Sequence, residues 1–285
     1  MTSPAILLKI NGVRPKKMLG QNFLSDSGFS QRLISKALLS EDDTILEIGA
    51  GLGAITLPAA CAVKRVYAVE KDKKIADILK NELASAGINN VLVIQKSILK
   101  VDLENIFEKT GRKMIVVGNL PYNISSQILI YLIKHRKFID KAFLMFQKEL
   151  AERLMSKVNT KQYGRIAVLL QYCAHVESFI SLKSSLFYPA PKVDSKVLKI
   201  VFNDKYKEIT ENESHLFKTV KAGFCMRRKT LKNALSGSEL CIDSNSIVNS
   251  LKAAKIDPKR RAETLSVEEF VTLSNQLQKP GLSPQ

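Results

Sequence analysis

The sequence predicts a doubly wound α/β sheet with an antiparallel edge, followed by a small all-helical domain. Three observations predict it. Short apolar runs bounded by turn residues alternate with helical-period segments from Thr44 to about residue 157, the pattern of parallel strands joined by helical crossovers. One of these runs, Thr44-Ile45-Leu46-Glu47-Ile48, passes directly into the glycine-rich turn Gly49-Ala50-Gly51-Leu52-Gly53. Past residue 204 the strand signal ends and only helical spacing remains.

Taken in order, residues 1–24 read as a basic, loop-like segment carrying Arg14, Lys16 and Lys17. Ser25 and Asp26 offer helix caps, and Phe29, Leu33, Ile34, Ala37 and Leu38 recur at helical spacing, so a helix is expected over 27–39. After the strand at 44–48 and its glycines, residues 54–62 suit a helix, and Arg65 to Val69 a second strand ending on Glu70. Ile75, Ile78, Leu79 and Leu83 mark the next helix, stopped by Gly87. Strands follow at 91–94 and 114–117, then a helix over 124–135, a strand over 141–146 and a helix over 147–157. Arg165 to Tyr172 and Lys196 to Phe202 both read as strands with no helix between them, placed to pair as antiparallel neighbours at a sheet edge. Leu216, Phe217, Val220 and Phe224, then Leu231, Ala234 and Leu235, are helical, and Ser266-Val267-Glu268-Glu269 is a capping box. Two domains are expected, 1–204 and 205–285, with a tail at Pro280, Gly281 and Pro284.

The composition limits the function. With 285 residues, 45% hydrophobic and 25% charged, the chain can bury a real core, which excludes collagen-like and wholly disordered classes. A net charge of +17 points to a polyanionic partner, nucleic acid before an anionic membrane. No apolar stretch approaches the length of a membrane span, and the run Ala5 to Leu8 is too short for the hydrophobic part of a signal peptide. Cys61, Cys173, Cys225 and Cys241 share no CxxC spacing, and His135, His175 and His215 are scattered, so no metal site is expected. A cytosolic monomer with reduced cysteines is expected.

A strand, glycines and a helix in succession bring backbone N–H groups against a ligand, and Gly49, Gly51 and Ala54 satisfy the loose G-x-G-x-x-G/A fingerprint. Glu70, ending the second strand, is placed to accept from a ribose hydroxyl. Two ligands fit: a dinucleotide, or the adenosyl moiety of S-adenosylmethionine; a ligand-free tight turn is the plain alternative. Glu47, just before the glycines, favours the methyl donor, because an acid faces a pyrophosphate badly and a sulfonium well.

Asn119-Leu120-Pro121-Tyr122 stands at the end of the fourth strand, at the sheet edge that carries the glycines and Glu70. An exocyclic adenine amine is a poor nucleophile, since its lone pair is delocalised into the ring. The Asn119 side-chain oxygen and a backbone carbonyl near Leu120–Pro121 can accept its two N–H bonds and favour a pyramidal nitrogen. Pro121 stiffens the loop. Tyr122 offers a face on which an extruded base stacks.

In order along the chain stand Gly20-Gln21-Asn22-Phe23-Leu24, Glu47-Ile48-Gly49-Ala50-Gly51-Leu52-Gly53, Asn119-Leu120-Pro121-Tyr122-Asn123-Ile124-Ser125, Gln147-Lys148-Glu149, Tyr163-Gly164-Arg165 and Pro191-Lys192-Val193-Asp194-Ser195. Arg227-Arg228-Lys229-Thr230-Leu231 and Arg261-Ala262-Glu263 follow in the helical part. From about residue 14 onward the chain resembles the ribosomal RNA adenine dimethyltransferases. The resemblance implies a class I, Rossmann-like methyltransferase domain. It also implies S-adenosylmethionine-dependent dimethylation of N6 of two adjacent adenosines, in a hairpin loop near the 3′ end of small-subunit rRNA, during small-subunit biogenesis. It places Gln21, Asn22 and Leu24 in a lip on the methyl donor. Gly49, Gly51 and Glu70 become its amino-acid and ribose contacts, Asn119 to Tyr122 the amine clamp, with Asn119 also on the methyl donor, and Phe187 a second aromatic against the target base. The family usually carries an acid after the third strand for the cofactor's adenine amine; here Ser97 stands at that place, with Asp102 five residues on.

Arg14, Lys16 and Lys17, then Arg227, Arg228, Lys229 and Lys232, then Lys259, Arg260 and Arg261 form basic clusters expected to meet RNA phosphates. The immature small ribosomal subunit is the expected partner. Rival readings are a large-subunit resistance-type methyltransferase, a non-catalytic assembly factor, and a dinucleotide oxidoreductase, which nothing after residue 100 supports.

Overall fold

The computed structural model describes residues 2–226 and 228–278. In chain order the elements are α1 (Pro4–Ile10), β1 (Phe23–Leu24), α2 (Ser27–Lys36), β2 (Thr44–Ile48), α3 (Thr56–Ala60), β3 (Arg65–Val69), α4 (Lys73–Ser85) and β4 (Val91–Ile94). Then come α5 (Leu103–Thr110), β5 (Met114–Asn119), α6 (Ser125–Lys134), β6 (Ile139–Gln147), α7 (Lys148–Leu154), α8 (Arg165–Cys173), β7 (Ala174–Leu182), β8 (Phe187–Tyr188) and β9 (Ser195–Phe202). Among the described residues four helices follow: α9 (Glu213–Gly223), α10 (Leu231–Ser236), α11 (Ser244–Ala253) and α12 (Val267–Leu277).

Seven strands form one sheet in the order β4-β3-β2-β5-β6-β9-β7. The five from β2 to β6 run parallel, and β9 pairs antiparallel with β6, placing Leu198 opposite Leu144. Every residue of β2 is buried, as expected of a central parallel strand covered on both faces. The reversal of strand order falls between β2 and β5. Their carboxyl ends, with those of β3 and β4, therefore meet at one edge, where open α/β sheets hold ligands. β2 and β5 approach closely at Gly118: a Cβ there would lie 2.5 Å from the Ile48 carbonyl oxygen.

Two segments differ from the sequence expectation. The N-terminal stretch is not all loop: Pro4 opens α1, whose Leu7 and Leu8 bury against Val13, Phe23 and Leu52. Arg165–Cys173 is a helix, not a strand. Seven of its nine residues are buried, and a short, uniformly apolar run has no period to separate the two forms. The edge strand expected there is instead β7, the neighbour of β9.

The chain divides into two compact units, Met1–Ala151 with Val176–Phe202, and Glu152–His175 with Asn203–Gln285. The second is helical, with α8, α9, α11 and α12 packing on one another. Phe224 stacks on Phe270 at 5.8 Å, Tyr163 meets Phe224 edge-on at 6.3 Å, and Leu216, Val220, Leu231 and Leu251 are buried in the same unit. Ser266 and Glu269 cap α12 reciprocally, as their spacing predicts. The tail residues Pro280, Gly281 and Pro284 lie outside the described residues.

Candidate active site

A cleft opens at the carboxyl edge of the sheet. Gln21, Asn22 and Leu24 from the N-terminal segment line it with Glu47, Gly49, Gly51, Glu70, Ser97, Asn119 and Pro121. Sheet order places the parts. Asn119 ends β5, the glycine turn follows β2, Glu70 follows β3 and Ser97 follows β4.

The glycine turn folds back on β3: the Gly49 and Ala50 amides donate to the Val69 carbonyl at 2.9 and 3.1 Å. Gly49 and Gly51 sit at φ of 73° and 56°, the left-handed region that side chains disfavour. At Gly51 a Cβ would also press to 3.2 Å on the Phe23 ring. Backbone atoms therefore face the cleft unobstructed.

Two acids line it. Glu70 accepts from the Gly51 amide at 3.0 Å and from the Asp72 amide at 2.8 Å. Burial raises its pKa, and those amides hold the rise in check. Glu47 is 1% exposed and accepts from the Thr56 hydroxyl at 2.6 Å. Burial pushes its carboxyl up to about 8, against the Thr56 bond and with help from the Glu70 charge. Two acids in this buried setting disfavour a pyrophosphate, whose negative charges would meet them in a place of low dielectric. Ser97 reaches the cleft with its hydroxyl free of any cap bond to the following turn. Asp102 is spent on α5, where it accepts from the Asn105 amide at 3.1 Å.

The Asn119 amide is oriented by the lip. Its Nδ2 donates to the Asn22 carbonyl at 2.8 Å. A carbonyl can only accept, so this bond assigns the amide's nitrogen end and leaves Oδ1 as the acceptor for a substrate. The Pro121 carbonyl accepts from Ser125 Oγ at 2.9 Å and from the Ile124 amide at 3.2 Å. Tyr122 is half-buried, and its hydroxyl lies 3.0 Å from Ser195 Oγ. Burial raises the phenol's pKa, and the Ser195 bond opposes that. Leu120 is 1% exposed as a whole residue, with its side chain packed inward.

Other expected residues sit differently. Phe187 is 3% exposed, paired with Leu24 across the β1–β8 ribbon and packed in the core. In this arrangement it has no exposed face for a base; alternation along β8 turns the neighbouring Tyr188 outward instead, at 43% exposed. Lys16 is bound to Asp72, at 2.7 Å. Arg260 is turned inward: its guanidinium is held by both oxygens of Glu269 and by Thr264. Arg14, Lys17, Arg228, Lys229, Lys259 and Arg261 are exposed and Lys232 is intermediate, while Arg227 lies outside the described residues. The two C-terminal basic segments, far apart in sequence, join in space, because the Leu231 amide donates to the Arg260 carbonyl at 2.7 Å and the Lys232 amide to Pro258. Sequence reasoning missed Asp72 and Ser195. Ser195 lies in a recognised motif, but Asp72 looks like an ordinary helix cap.

The sequence profile of the family described as ribosomal RNA adenine dimethylase matches residues 12–279. The chain belongs to this family. A Desulforapulum autotrophicum protein named ribosomal RNA small subunit methyltransferase A is 49% identical over 277 residues, 97% of each chain. One of the same name from Bacillus cereus is 39% identical, over 92% of this chain and 91% of its own. In fold, the chain is similar to a dimethyladenosine transferase from Plasmodium falciparum, with a TM-score of 0.74 at 24% identity, covering 88% of this chain and 95% of that one. It is also similar to the 23S rRNA methyltransferase ErmE, with a TM-score of 0.63 at 22% identity over 90% and 100%. This adenine dimethylase thus draws its methyl groups from S-adenosylmethionine and delivers them to adenine in ribosomal RNA. Among the described residues no helix is long and apolar enough to cross a membrane.

Proposed function

We propose that the enzyme dimethylates N6 of two adjacent adenosines in a hairpin loop near the 3′ end of small-subunit rRNA, acting as a cytosolic monomer on immature small subunits. The observation that carries the catalytic part is the Asn119–Asn22 bond, which presents Asn119 Oδ1 as an acceptor beside the donor cleft.

When bound, S-adenosylmethionine supplies a methyl carbon activated by its sulfonium. Gln21, Asn22, Leu24, Gly49, Gly51, Glu70 and Ser97 are assigned to hold it. Asn119 Oδ1 accepts one N–H of the target amine. Because the Pro121 carbonyl is already doubly engaged, the Leu120 carbonyl is the backbone acceptor for the other. Held by both, the nitrogen turns its lone pair toward the methyl carbon. The bound donor would supply its methyl carbon to this lone pair and leave as S-adenosylhomocysteine, and the proton displaced from the amine would pass to solvent. The barrier falls by placement, with no strong base required. Tyr122 stacks on the extruded base, its ring fixed by Ser195, while Phe187 packs behind Leu24 of the lip. Arg14, Lys17 and the joined patch of Arg228, Lys229, Lys232, Lys259 and Arg261 contact phosphates, which position the RNA without reading its sequence.

The test is mass spectrometry of rRNA fragments after incubating the enzyme and S-adenosylmethionine with unmodified small subunits. Dimethyladenosine at two adjacent positions near the 3′ end is expected. Methylation confined to large-subunit RNA overturns the target assignment.

A further inference from the structure

The segment from Lys16 to Leu24 is fastened on two sides of the cleft. On the β5 side the Asn22 carbonyl accepts from Asn119, and the Met18 carbonyl accepts from Asn123 Nδ2 at 3.2 Å. On the β3 side everything converges on Asp72. Its Oδ2 lies 2.7 Å from Lys16 Nζ and accepts from Gln21 Nε2 at 3.2 Å, while Gln21 Oε1 accepts from the Lys16 amide at 2.7 Å. Oδ1 accepts from the Lys74 amide at 3.1 Å, capping α4, and the Asp72 amide donates to Glu70.

A single residue thus joins the lip and a helix start through its carboxylate, and the acid assigned to the ribose through its amide. Its side chain is 2% exposed while that of Lys16 is 52% exposed. Burial alone would raise the Asp72 pKa, but the Lys16 and Gln21 bonds outweigh it and hold the carboxyl below its ordinary value. The residues from Met18 to Leu24 all line the cleft. The strand ends on its other walls are held by the sheet. Outside the two residues of β1, the lip is held to the cleft by side-chain bonds at Lys16, Met18, Gln21 and Asn22 rather than by a sheet ladder.

We propose that Asp72 is a positioning residue for the methyl donor: with Lys16 and Gln21 it forms a latch that holds the lip over the cleft, and the opening of this latch limits exchange of donor and demethylated product. This rests on the reading of the cleft as the donor site. Half of the Lys16 side chain meets water, so salt weakens the latch and speeds exchange.

The experiment follows release of tritiated S-adenosylhomocysteine from the full chain, and hydrogen exchange of the lip peptide with and without that ligand. Lys16→Met breaks the ion pair without touching α4. Asp72→Asn removes the charge and keeps a capping acceptor. Each is expected to speed release about fivefold, the double variant no more than the faster single one, and Lys16→Arg to behave as wild type. A mere helix-capping role for Asp72 would leave Lys16→Met unaffected. If the ligand protects the wild-type lip yet Lys16→Met releases it at the wild-type rate, the latch is overturned and the donor-site reading stands. If the ligand leaves the wild-type lip unprotected, the donor-site reading itself fails and the latch with it.

Discussion

At the carboxyl edge of the sheet, in the cleft and beside it, polar groups are held by the protein before any substrate arrives: Glu70 by two amides, Glu47 by Thr56, Asn119 by the Asn22 carbonyl, Tyr122 by Ser195. In the helical unit, Arg228, Lys229, Lys259 and Arg261 stand exposed. The first region works through geometry that is fixed in advance, where small displacements matter greatly. The second works through charge in water, where the sum counts more than any one member and salt erodes the effect. Substitutions in the two regions should therefore fail in different ways.

The largest effect is expected at Asn119. Asn119→Ala removes an acceptor that matters mainly in the transition state, so turnover should fall on the order of 10²–10³ by analogy with oxyanion-hole donors, with RNA binding nearly intact. Single-turnover kinetics with product analysis checks this. The ratio of monomethyl to dimethyl adenosine should also shift, because the second transfer acts on an amine with one N–H left. Full activity in this variant would break the positioning account.

Next is Glu70→Ala, expected to weaken S-adenosylmethionine binding by about 1.5–3 kcal/mol. The structure sharpens this: the same change frees the Gly51 and Asp72 amides, so the glycine turn should loosen as well. Calorimetry gives the affinity, and amide exchange at the turn gives the loosening.

The helical unit should respond otherwise. Arg228→Ala with Arg261→Ala should leave donor binding unchanged and flatten the salt dependence of RNA binding by roughly 0.7–0.9 log units of slope per lost contact. Arg260→Ala, next door in sequence, should leave that slope alone and cost about 1–2 kcal/mol of stability, since its partners are Glu269 and Thr264. Denaturant unfolding beside salt titrations separates the two. Equal salt slopes for Arg260→Ala and Arg261→Ala would erase the distinction.

The smallest effect belongs to Glu47. Its carboxyl is raised from 4.5 to about 8, so folding favours the protonated form. That stability is fully present below pH 4.5 and is lost as pH rises through about 8. Glu47→Gln should therefore flatten the decline of melting temperature between pH 6 and 9, gaining on the wild type at the alkaline end. Parallel melting curves for both proteins across this range would contradict the buried, neutral carboxyl.

Much of the cleft was legible in the sequence because its parts are local. A strand, three glycines and a terminal acid carry their geometry in their spacing, and Asn119 to Tyr122 sits directly at a strand end. Capping was legible for the same reason, at Asp26 and in the Ser266–Glu269 box. The run Arg165–Cys173 was not, because a nine-residue segment buried on nearly all sides shows neither a period of two nor one of 3.6.

The sequence by itself determined the class of chemistry: which strand ends carry acids, glycines and an amine acceptor, and how strongly basic the chain is. Only the tertiary structure decided which of those side chains are free to act. Lys16 and Arg260 count equally with Lys17 and Arg261 in a tally of charge, yet Asp72 holds the first and Glu269 the second. Phe187 and Tyr188 are adjacent aromatics, yet strand pairing with Leu24 and Phe23 buries one and exposes the other. The physical reason is the same in each case. Availability depends on neighbours brought close by the fold, from nine residues away at Arg260 to another strand far along the chain at Phe187, and a one-dimensional pattern records a residue's chemistry without recording what already occupies it.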